Sequence, residues 1–283
     1  MPFSPDPYAA LRSAARYVRQ FRRKTFVVLV DGPMLGDARL RRAVCEQIAL
    51  LWTFSIQPVV VHGAGPELNT PFDAMSAKVR MDLLADLQAA GVPCVGLSGV
   101  DAGLLKARRR TGDASAEAAW EQGRPGNYSL VGDIESVDTR LLQHLRTGDY
   151  VPVVAPLAGD PSGTVYNASA DTVAATLAVA LAAEKLFFLL PTAGLLRRPE
   201  DPASLVPQAT LTDLAALEQE GQMSPGLVSK VHAIRSALVG GVTSVHLVSG
   251  MQPNALLEEV FTNEGSGTMV LREAPARAPG GSA

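Results

Sequence analysis

The sequence has few of the residues that mark disulfide-bonded or metal-binding proteins. Only 2 of its 283 residues are cysteine and 4 are histidine. Cys45 and Cys94 both lie in apolar stretches, which predicts buried thiols rather than a disulfide and fits a reducing, cytoplasmic location. No CxxC or Cys/His spacing occurs, so the sequence predicts no metal site.

Charge and long apolar runs are also scarce. Charged residues make up 19% of the chain and the formal net charge is −3, which gives no electrostatic reason to expect a nucleic-acid partner. No stretch reaches about 18 uninterrupted apolar residues, the length that a membrane-spanning helix needs. The first residues lack the basic-then-apolar pattern of a secretory signal. We therefore expect a cytoplasmic protein that binds neither nucleic acid nor membrane.

The chain instead alternates strand-like apolar runs with helical patterns, which is typical of a parallel sheet covered by helices. Residues 25–30 form a continuous apolar run, as expected of a strand buried on both faces, and residues 8–21 have helical spacing. The fold class predicted is a three-layer α/β/α sandwich with an open, mainly parallel central sheet. Residues 107–137 are turn-rich and predict a small hairpin, in which the basic residues up to Arg110 form a solvated edge. The division predicted is an N-terminal helix at 1–23, lobes at 24–162 and 163–273, and a disordered tail at 274–283.

A glycine-rich turn follows the second strand-like run. His62 is followed by Gly63, Ala64 and Gly65, and then by Pro66. Small residues at the carboxyl end of a strand let backbone N–H groups approach an anion closely. This is also the edge of an open α/β sheet at which ligands bind. The alternative is a tight strand-to-helix turn with no ligand.

A second polar segment precedes an alanine-rich helical pattern. Asp171 could organise basic groups in a site, with Asn167 reaching a ligand's polar atoms. The alternative is that Asp171 only stabilises the first turn of the helix, where a negative charge complements the helix dipole. The sequence leaves both interpretations open.

A third segment places Lys230 at the start of a helical pattern, behind the glycine loop at Gly226. A lysine in the first turns of such a helix can bring its ammonium group to a transferred phosphoryl group. The alternative is an ordinary solvated surface lysine.

Taken together, these segments resemble the acetylglutamate kinase family, which has the amino-acid kinase fold. The similarity covers residues 17–272. It is carried, in the family's order, by the following segments: PVVVHGAGPEL, GLSGVDAGLLKA, TGDYVPVVAPL, YNASADTVAATLA, LAAEKLFFLL, GLVSKVHAIRSALVGGVTSVHLVSG and NALLEEVFTNEGSGTM. The resemblance implies transfer of the γ-phosphoryl group of ATP, with Mg²⁺ carried by the nucleotide, to a carboxylate of an N-acylated acidic amino acid. An acyl phosphate of the arginine-biosynthesis type would be the product.

The resemblance also implies roles for individual residues. Lys230 would stabilise the transition state and Asp171 would orient the basic groups. The residues implied to contact phosphate or substrate are Gly32, Gly63, Ala64, Gly65, Asn167 and Ser169, and those implied to border the nucleotide are Thr192, Gly194, Leu196, Gln222 and Ser224.

The chain departs from the family pattern at the end of the first strand. The family has Lys-x-Gly-Gly there, whereas this chain has Val30 in place of the lysine and Pro33 in place of the second glycine. The substrate-binding arginine of the family lies in a segment that this chain shortens, and Arg80 does not fall in the matching motif. Arg39 or Arg41 could take over the charge of the missing lysine.

Two hypotheses follow from these departures. The first is an ATP-dependent carboxylate kinase, and the alternative is a non-catalytic or regulatory family member that binds ligand without efficient phosphoryl transfer. The N-terminal helix has an apolar face with no obvious partner in the core. Because a similar helix interlaces subunits in arginine-sensitive members of the family that the sequence resembles, we expect a homo-oligomer, either a dimer or a hexamer. The alternative is that this helix simply packs on its own domain.

Overall fold

The computed structural model describes residues 9–30, 33–63, 72–110, 131–198, 200–220 and 225–273. In this part of the chain, eight strands form one sheet in the order β10-β12-β11-β9-β1-β2-β6-β3. Neighbouring strands are parallel except for the pair β11 and β12. The strands are β1 Thr25–Val30, β2 Gln57–His62, β3 Cys94–Ser98, β4 Leu105–Arg109, β5 Gly132–Val137, β6 Val151–Ala155, β7 Leu157–Gly159, β8 Val165–Asn167, β9 Lys185–Leu190, β10 Gln208–Thr210, β11 Ser244–Ser249 and β12 Thr268–Leu271.

Helices cover both faces of this sheet, which confirms the predicted three-layer α/β/α class. They are α1 Ala9–Phe21, α2 Pro33–Gly36, α3 Ala38–Thr53, α4 Phe72–Ala89, α5 Arg140–Thr147, α6 Ala170–Ala180, α7 Leu211–Gln219, α8 Pro225–Val239 and α9 Ala255–Phe261. Within the described residues, no helix is both long and apolar enough to cross a membrane.

Two hydrophobic clusters, one on each face, hold the layers together. Alternate residues of β1 point to opposite faces, as the period of a strand requires. Val27 and Leu29 join the cluster of α5 to α8, whereas Val28 and Val30 join the cluster of α1, α3, α4 and α9. All six residues of β1 are buried, which explains why its sequence is a continuous apolar run.

A second, four-stranded sheet has the order β5-β4-β7-β8. Its β4 and β5 are antiparallel, which confirms the hairpin predicted from the polar stretch, although residues 111–130 lie outside the described part. Arg108 and Arg110 pair with acidic residues of β5 on an exposed surface, as the solvated-edge interpretation predicts. The predicted lobe boundary at 162/163 falls in the turn between β7 and β8, which are antiparallel partners. The division into lobes stays a prediction.

Both cysteines are free, as predicted. Cys45 is buried and Cys94 is half-buried. Burial raises the pKa of the Cys45 thiol to about 12, so this side chain is a small apolar core residue at neutral pH.

Candidate functional site

The parallel strands end together at one edge of the main sheet, which we call the carboxyl edge. β1 ends there at Val30, β2 at His62 and β9 at Leu190, and the register pairs Val30 with both His62 and Leu189. The opposite edge, where these strands begin, is called the amino edge. In open α/β sheets, ligands bind at the carboxyl edge.

Helices α6 and α8 both begin at the carboxyl edge. The segment that joins α6 to β9 lies at the amino edge, because the Glu184 N–H donates to the carbonyl of Thr25 at the start of β1 (2.9 Å). β11 is parallel to β9, and the two strands begin side by side. The helix α8 precedes β11 as α6 precedes β9, so the two helices run in the same direction. The N-terminus of a helix carries free N–H groups and a partial positive charge. Two helix N-termini therefore lie at the edge where the strands end.

The structure brings the two predicted catalytic residues together on these helices. Asp171 lies in the first turn of α6 and Lys230 in the second turn of α8. The Lys230 Nζ lies 2.6 Å from the Asp171 Oδ1, and both side chains are largely buried, at 13% and 11% exposed. The Lys230 Nζ also lies 5.7 Å from the ring centroid of Phe188 on β9. Lys230 is thus not a solvated surface lysine, and its ammonium is held in a fixed position.

Of the glycine turn, the structure describes only Gly63. The Gly63 N–H donates to the Val30 carbonyl (2.9 Å), so it extends the ladder between β1 and β2. The hydrogen of this amide is thus engaged within the sheet, and a contact of Gly63 with a phosphoryl group stays a prediction. Ala64 and Gly65 lie outside the described residues.

His62 is completely buried directly before this turn. Its Nδ1 lies 2.8 Å from the Gly63 carbonyl oxygen, and its Nε2 is buried without a hydrogen-bond partner among the described residues. Burial lowers the pKa of His62 to about 4, so the ring is neutral at physiological pH. The sequence singled out His62 but gave no indication of this unpaired nitrogen.

The two polar residues predicted at the substrate side lie on either side of a single turn. Asn167 ends β8, where it pairs with Leu157. Ser169 is the N-cap of α6 and its Oγ accepts from the Thr172 N–H at 3.5 Å, which is a long hydrogen bond. Asn167 and Ser169 therefore stand at the entrance to the helix that carries Asp171. Their contact with a substrate stays a prediction.

The segment predicted to border the nucleotide follows β9. Thr192 is exposed, and its Oγ1 donates to the Gly194 carbonyl at 3.3 Å. Gly194 has φ +154° and is tightly packed, since a Cβ would lie 2.7 Å from the Thr268 Oγ1. Leu196 forms a bridge with Leu205. Their nucleotide contacts stay predictions, and Gln222, Ser224 and Gly32 lie outside the described residues.

Val30, which stands where the family resemblance implies a lysine, is buried in this chain. Val30 is 0% exposed in the core beneath α3, and Pro33 is the first residue of α2, a position that suits proline because the first N–H of a helix has no partner within it. Arg41 does not take over the missing charge. Its Nε lies 2.7 Å from the Asp86 Oδ2, and its Nη1 donates to the Leu35 carbonyl. Arg39 is exposed.

A buried polar cluster that sequence reasoning missed lies near the amino edge. The Lys185 Nζ lies 2.8 Å from the His246 Nε2, and the His246 Nδ1 lies 2.6 Å from the Glu259 Oε1. Glu259 also accepts from the N–H groups of Ser266 and Gly267. Burial lowers the pKa of Lys185 to about 8 and that of His246 to about 4. The three residues are far apart in sequence and carry no motif, so only the fold assembles them.

A cavity of about 300 Å³ also opens at the amino edge. It is lined by the beginnings of β2 and β6, together with Arg23, Trp52 and Arg146. The Nη2 of Arg146 donates to Thr25 and Gln57 inside this region. Because this cavity lies at the opposite edge of the sheet, it is not part of the candidate site.

Comparison with known proteins identifies similar sequences. Residues 24–249 match the model of the amino acid kinase family. The chain is 63% identical to an acetylglutamate kinase of Myxococcus xanthus, over 96% of this chain and 97% of that protein. It is 36% identical to an acetylglutamate kinase of Symbiobacterium thermophilum, over 94% of this chain and 98% of the other.

Solved structures give a consistent result for the fold. An N-acetylglutamate synthase of Neisseria gonorrhoeae, in complex with coenzyme A and N-acetyl-glutamate, superposes with a TM-score of 0.78 at 26% identity. The match covers 95% of this chain and 64% of that protein. A carbamate kinase of Giardia lamblia bound to AMP-PNP superposes with a TM-score of 0.62 at 15% identity, over 88% of this chain and 99% of the other, which indicates a shared fold.

Proposed function

The chain belongs to the amino acid kinase family, and we propose that it is an ATP-dependent kinase that phosphorylates N-acetylglutamate on its side-chain carboxylate, a step of arginine biosynthesis. The observation that carries this proposal is the high identity to an acetylglutamate kinase along nearly the whole of both chains. The ion pair of Lys230 and Asp171 at the carboxyl edge supplies the chemistry that such a reaction needs.

In this reaction a carboxylate oxygen of the acceptor attacks the γ-phosphorus of ATP. The bond to the bridging oxygen breaks, ADP leaves with the electron pair, and an acyl phosphate forms. The protein contributes mainly position and compensating charge. The ammonium of Lys230 neutralises negative charge on the transferring group, and Asp171 keeps that ammonium in place between α6 and α8.

The carboxyl edge suits a nucleotide polyphosphate. The N-termini of α6 and α8 offer partial positive charge, and Lys230 adds a full charge beside them. We expect Mg²⁺ to arrive on the phosphates of ATP, where it neutralises their oxygens. The residues proposed to contact phosphate, acceptor and nucleotide remain those predicted from the sequence.

The test is an assay of acyl phosphate formation from ATP, Mg²⁺ and N-acetylglutamate, with the wild type and Lys230→Met. We expect turnover by the wild type and a kcat lower by about 10²–10³ in the variant, the usual cost of removing one electrostatic donor to the transition state. The matched control is Lys24→Met, because Lys24 is 52% exposed at the amino edge and pairs with Glu184. It should keep wild-type kcat.

Two results would count against the proposal. If the wild type forms no acyl phosphate but ATP and N-acetylglutamate raise its melting temperature, the protein binds ligand without turnover, since binding to the native state alone is sufficient to stabilise it. If Lys230→Met retains full kcat, the assigned role of Lys230 is wrong.

The cytoplasm is the proposed location, since the reaction consumes ATP and an amino-acid derivative.

A further inference from the structure

The cavity at the amino edge has two arginines in its wall, and neither forms an ion pair within the described residues. Arg146 is half-buried, whereas Arg23 is exposed at the rim. Asp149 is the one acidic residue among those that line the cavity, so two positive charges and one negative charge leave the lining at +1. The neighbouring Lys24 and Glu184 pair with each other at 3.1 Å and add no net charge.

The guanidinium of Arg146 is held by neutral groups. Its Nη2 donates to the Thr25 hydroxyl and to the Gln57 Oε1 (2.5 Å), and its Nε is buried without a partner in the described part of the chain. The Nη1 has no partner there either, but it is not enclosed, so it is the donor that a molecule in the cavity can reach. Burial lowers the pKa of Arg146. A half-buried cation with only neutral partners is stabilised by an anion that comes to lie beside it.

Three helices end at this cavity, and the loops that follow them are tied together. Arg23 follows α1, Ser55 follows α3 and Asp149 follows α5, each with a left-handed φ of 60° or 61°, a common way to end a helix. The Arg23 N–H donates to the Ser55 carbonyl (2.6 Å), and the Trp52 Nε1 donates to the Asp149 carbonyl (2.9 Å). The wall is therefore preformed, and a ligand would have to order little of the chain.

The carbonyl groups at these helix ends do not require the arginines as partners. The Ile56 N–H donates to the Leu51 carbonyl of α3 (3.1 Å), and the Tyr150 N–H donates to the Leu145 carbonyl of α5 (3.0 Å). These bonds satisfy the ends of the helices locally. The positive charge of the cavity is thus available to a ligand.

The polar groups of the wall are mainly donors. Because the Gln57 Oε1 accepts from Arg146, the Gln57 Nε2 is left to donate, and it has no partner within the described residues. The Ser55 hydroxyl and the Arg23 guanidinium lie at the exposed rim and can donate as well. A group with several acceptor oxygens and a negative charge matches this set of donors.

Aromatic side chains form the remaining part of the wall. Trp52 is half-buried and fixed by its hydrogen bond, and Tyr150 is 46% exposed. Rings of this kind pack well against another planar ring. The cavity volume of about 300 Å³ is at the lower end of the range for small-molecule sites, which limits the ligand to a small compound.

We propose that the amino-edge cavity is a second ligand site, which binds a small molecule by a phosphate or carboxylate group placed at Arg146 and Gln57. A planar ring of the same molecule lies against Trp52 and Tyr150. Phosphate and carboxylate offer the same kind of acceptor oxygens to a guanidinium, and the test distinguishes them. The inference does not depend on the proposed function, whose site lies at the opposite edge of the sheet.

The fluorescence of Trp52 gives this site a signal of its own. The chain has two tryptophans, so Trp120→Phe leaves Trp52 as the only one. In this background, phenyl phosphate, inorganic phosphate, benzoate and acetate are titrated. We expect saturable binding of phenyl phosphate or benzoate, about 5-fold or more tighter than that of the matching ion without a ring. The tighter of the two aromatic probes identifies the oxyanion, and calorimetry of the unmodified chain should give the same dissociation constants.

Two arginine variants test the charge. Arg146→Gln should weaken binding of the preferred probe about 10-fold or more, because a hydrogen bond to a charged group is lost. Since Arg146 also bonds to Thr25 and Gln57, the melting temperature of this variant is measured first. Arg23→Gln changes an exposed side chain, so it keeps the fold, and it should weaken binding about 2- to 5-fold.

Two other variants test the ring contact and the location. Tyr150→Ala should weaken binding of the aromatic probe and leave that of inorganic phosphate or acetate unchanged. Lys230→Met is the matched control, because it removes a cation of the carboxyl edge, and it should leave all four dissociation constants as in the wild type.

Three results would overturn the inference. The first is the absence of saturable binding for every probe at tens of millimolar. The second is binding that Lys230→Met abolishes, which would place the probe at the carboxyl edge. The third is unchanged binding in Arg23→Gln and Tyr150→Ala, which applies even if Arg146→Gln does not fold. None of these measurements requires turnover, so their outcome is separate from that of the kinase assay.

Discussion

Val30 stands where the family resemblance implies a phosphate-binding lysine. Its side chain is 0% exposed and packs in the cluster of α3, α4 and α9. We expect Val30→Lys to lower the free energy of unfolding by several kcal/mol, because an ammonium without a partner would be buried there. Chemical denaturation measures this change.

The control for Val30→Lys is Val239→Lys, at a position that is 57% exposed at the end of α8. A surface substitution of this kind changes stability by about 0.5 kcal/mol or less. Equal stability of Val30→Lys and the wild type would mean that position 30 can open toward solvent. A lysine at this position could then reach solvent in this chain.

His62 predicts a dependence of stability on pH. Its folded pKa of about 4 lies below the ordinary value of about 6.5, so between these values the unfolded chain binds a proton that the folded protein does not. The stabilisation is therefore complete above pH 6.5 or so and is lost as the pH falls toward 4, at up to about 1.4 kcal/mol per pH unit.

Urea unfolding at several pH values measures this slope. His62→Gln should flatten it, whereas His144→Gln, at an exposed position on α5, should leave it as in the wild type. Identical slopes for His62→Gln and the wild type would contradict a depressed pKa at His62. His246 has a similarly low pKa, so a second part of the slope remains in the variant.

At the scale of single residues, the sequence indicates candidate side chains but not which groups they contact. Lys230 and Asp171 were selected separately, and the fold pairs them, because both lie at the starts of helices that reach the same edge. The sequence also does not reveal that the Gly63 amide extends the β1–β2 ladder.

Among the elements, β12 is held to the segment after β9 by one threonine. The Thr268 Oγ1 accepts from the Leu195 N–H (2.9 Å) and donates to the Val206 carbonyl (2.6 Å), and the residue is fully buried. Thr268→Val should lower the free energy of unfolding by about 1–3 kcal/mol, because the buried Leu195 N–H loses its partner and the part-buried Val206 carbonyl loses its donor.

Thermal or chemical unfolding tests the prediction for Thr268. Thr147→Val is the matched control, since the Thr147 Oγ1 donates to a carbonyl of its own helix on an exposed surface. It should change stability by about 0.5 kcal/mol or less. If the two variants are equally stable, the buried hydrogen bonds of Thr268 do not hold this segment.

Among the strands, the continuous apolar run gives the clearest prediction. The run at residues 25–30 became β1 with the same limits, because burial on both faces leaves no polar position in the strand. The helix α4 begins at Phe72, and residues 72–76 contain neither glycine nor proline to interrupt it. The second sheet was not predicted beyond its hairpin, because β7 and β8 have only three residues each.

For the whole molecule, the oligomeric state is open to direct measurement. The helix α1 contacts its own chain, since Phe21 packs on Phe26 at 5.3 Å between ring centroids and the Tyr17 hydroxyl donates to Asn263. The predicted homo-oligomer is a dimer or a hexamer of a 29.7 kDa chain. Light scattering should give two or six times this mass. A monomeric mass at micromolar concentration would dismiss the prediction.

The central place of β1 limits how the polypeptide can be divided. This strand forms ladders with β2 on one side and with β9 on the other, although β9 follows it by more than a hundred residues. Splitting the gene between codons 162 and 163 would give two fragments. In the first, β1 would become an edge strand with no partner on the side that β9 occupies. The second would contain β9 without β1 beside it. Neither fragment should be soluble when expressed alone, and activity should return only when both are co-expressed and their strands meet again.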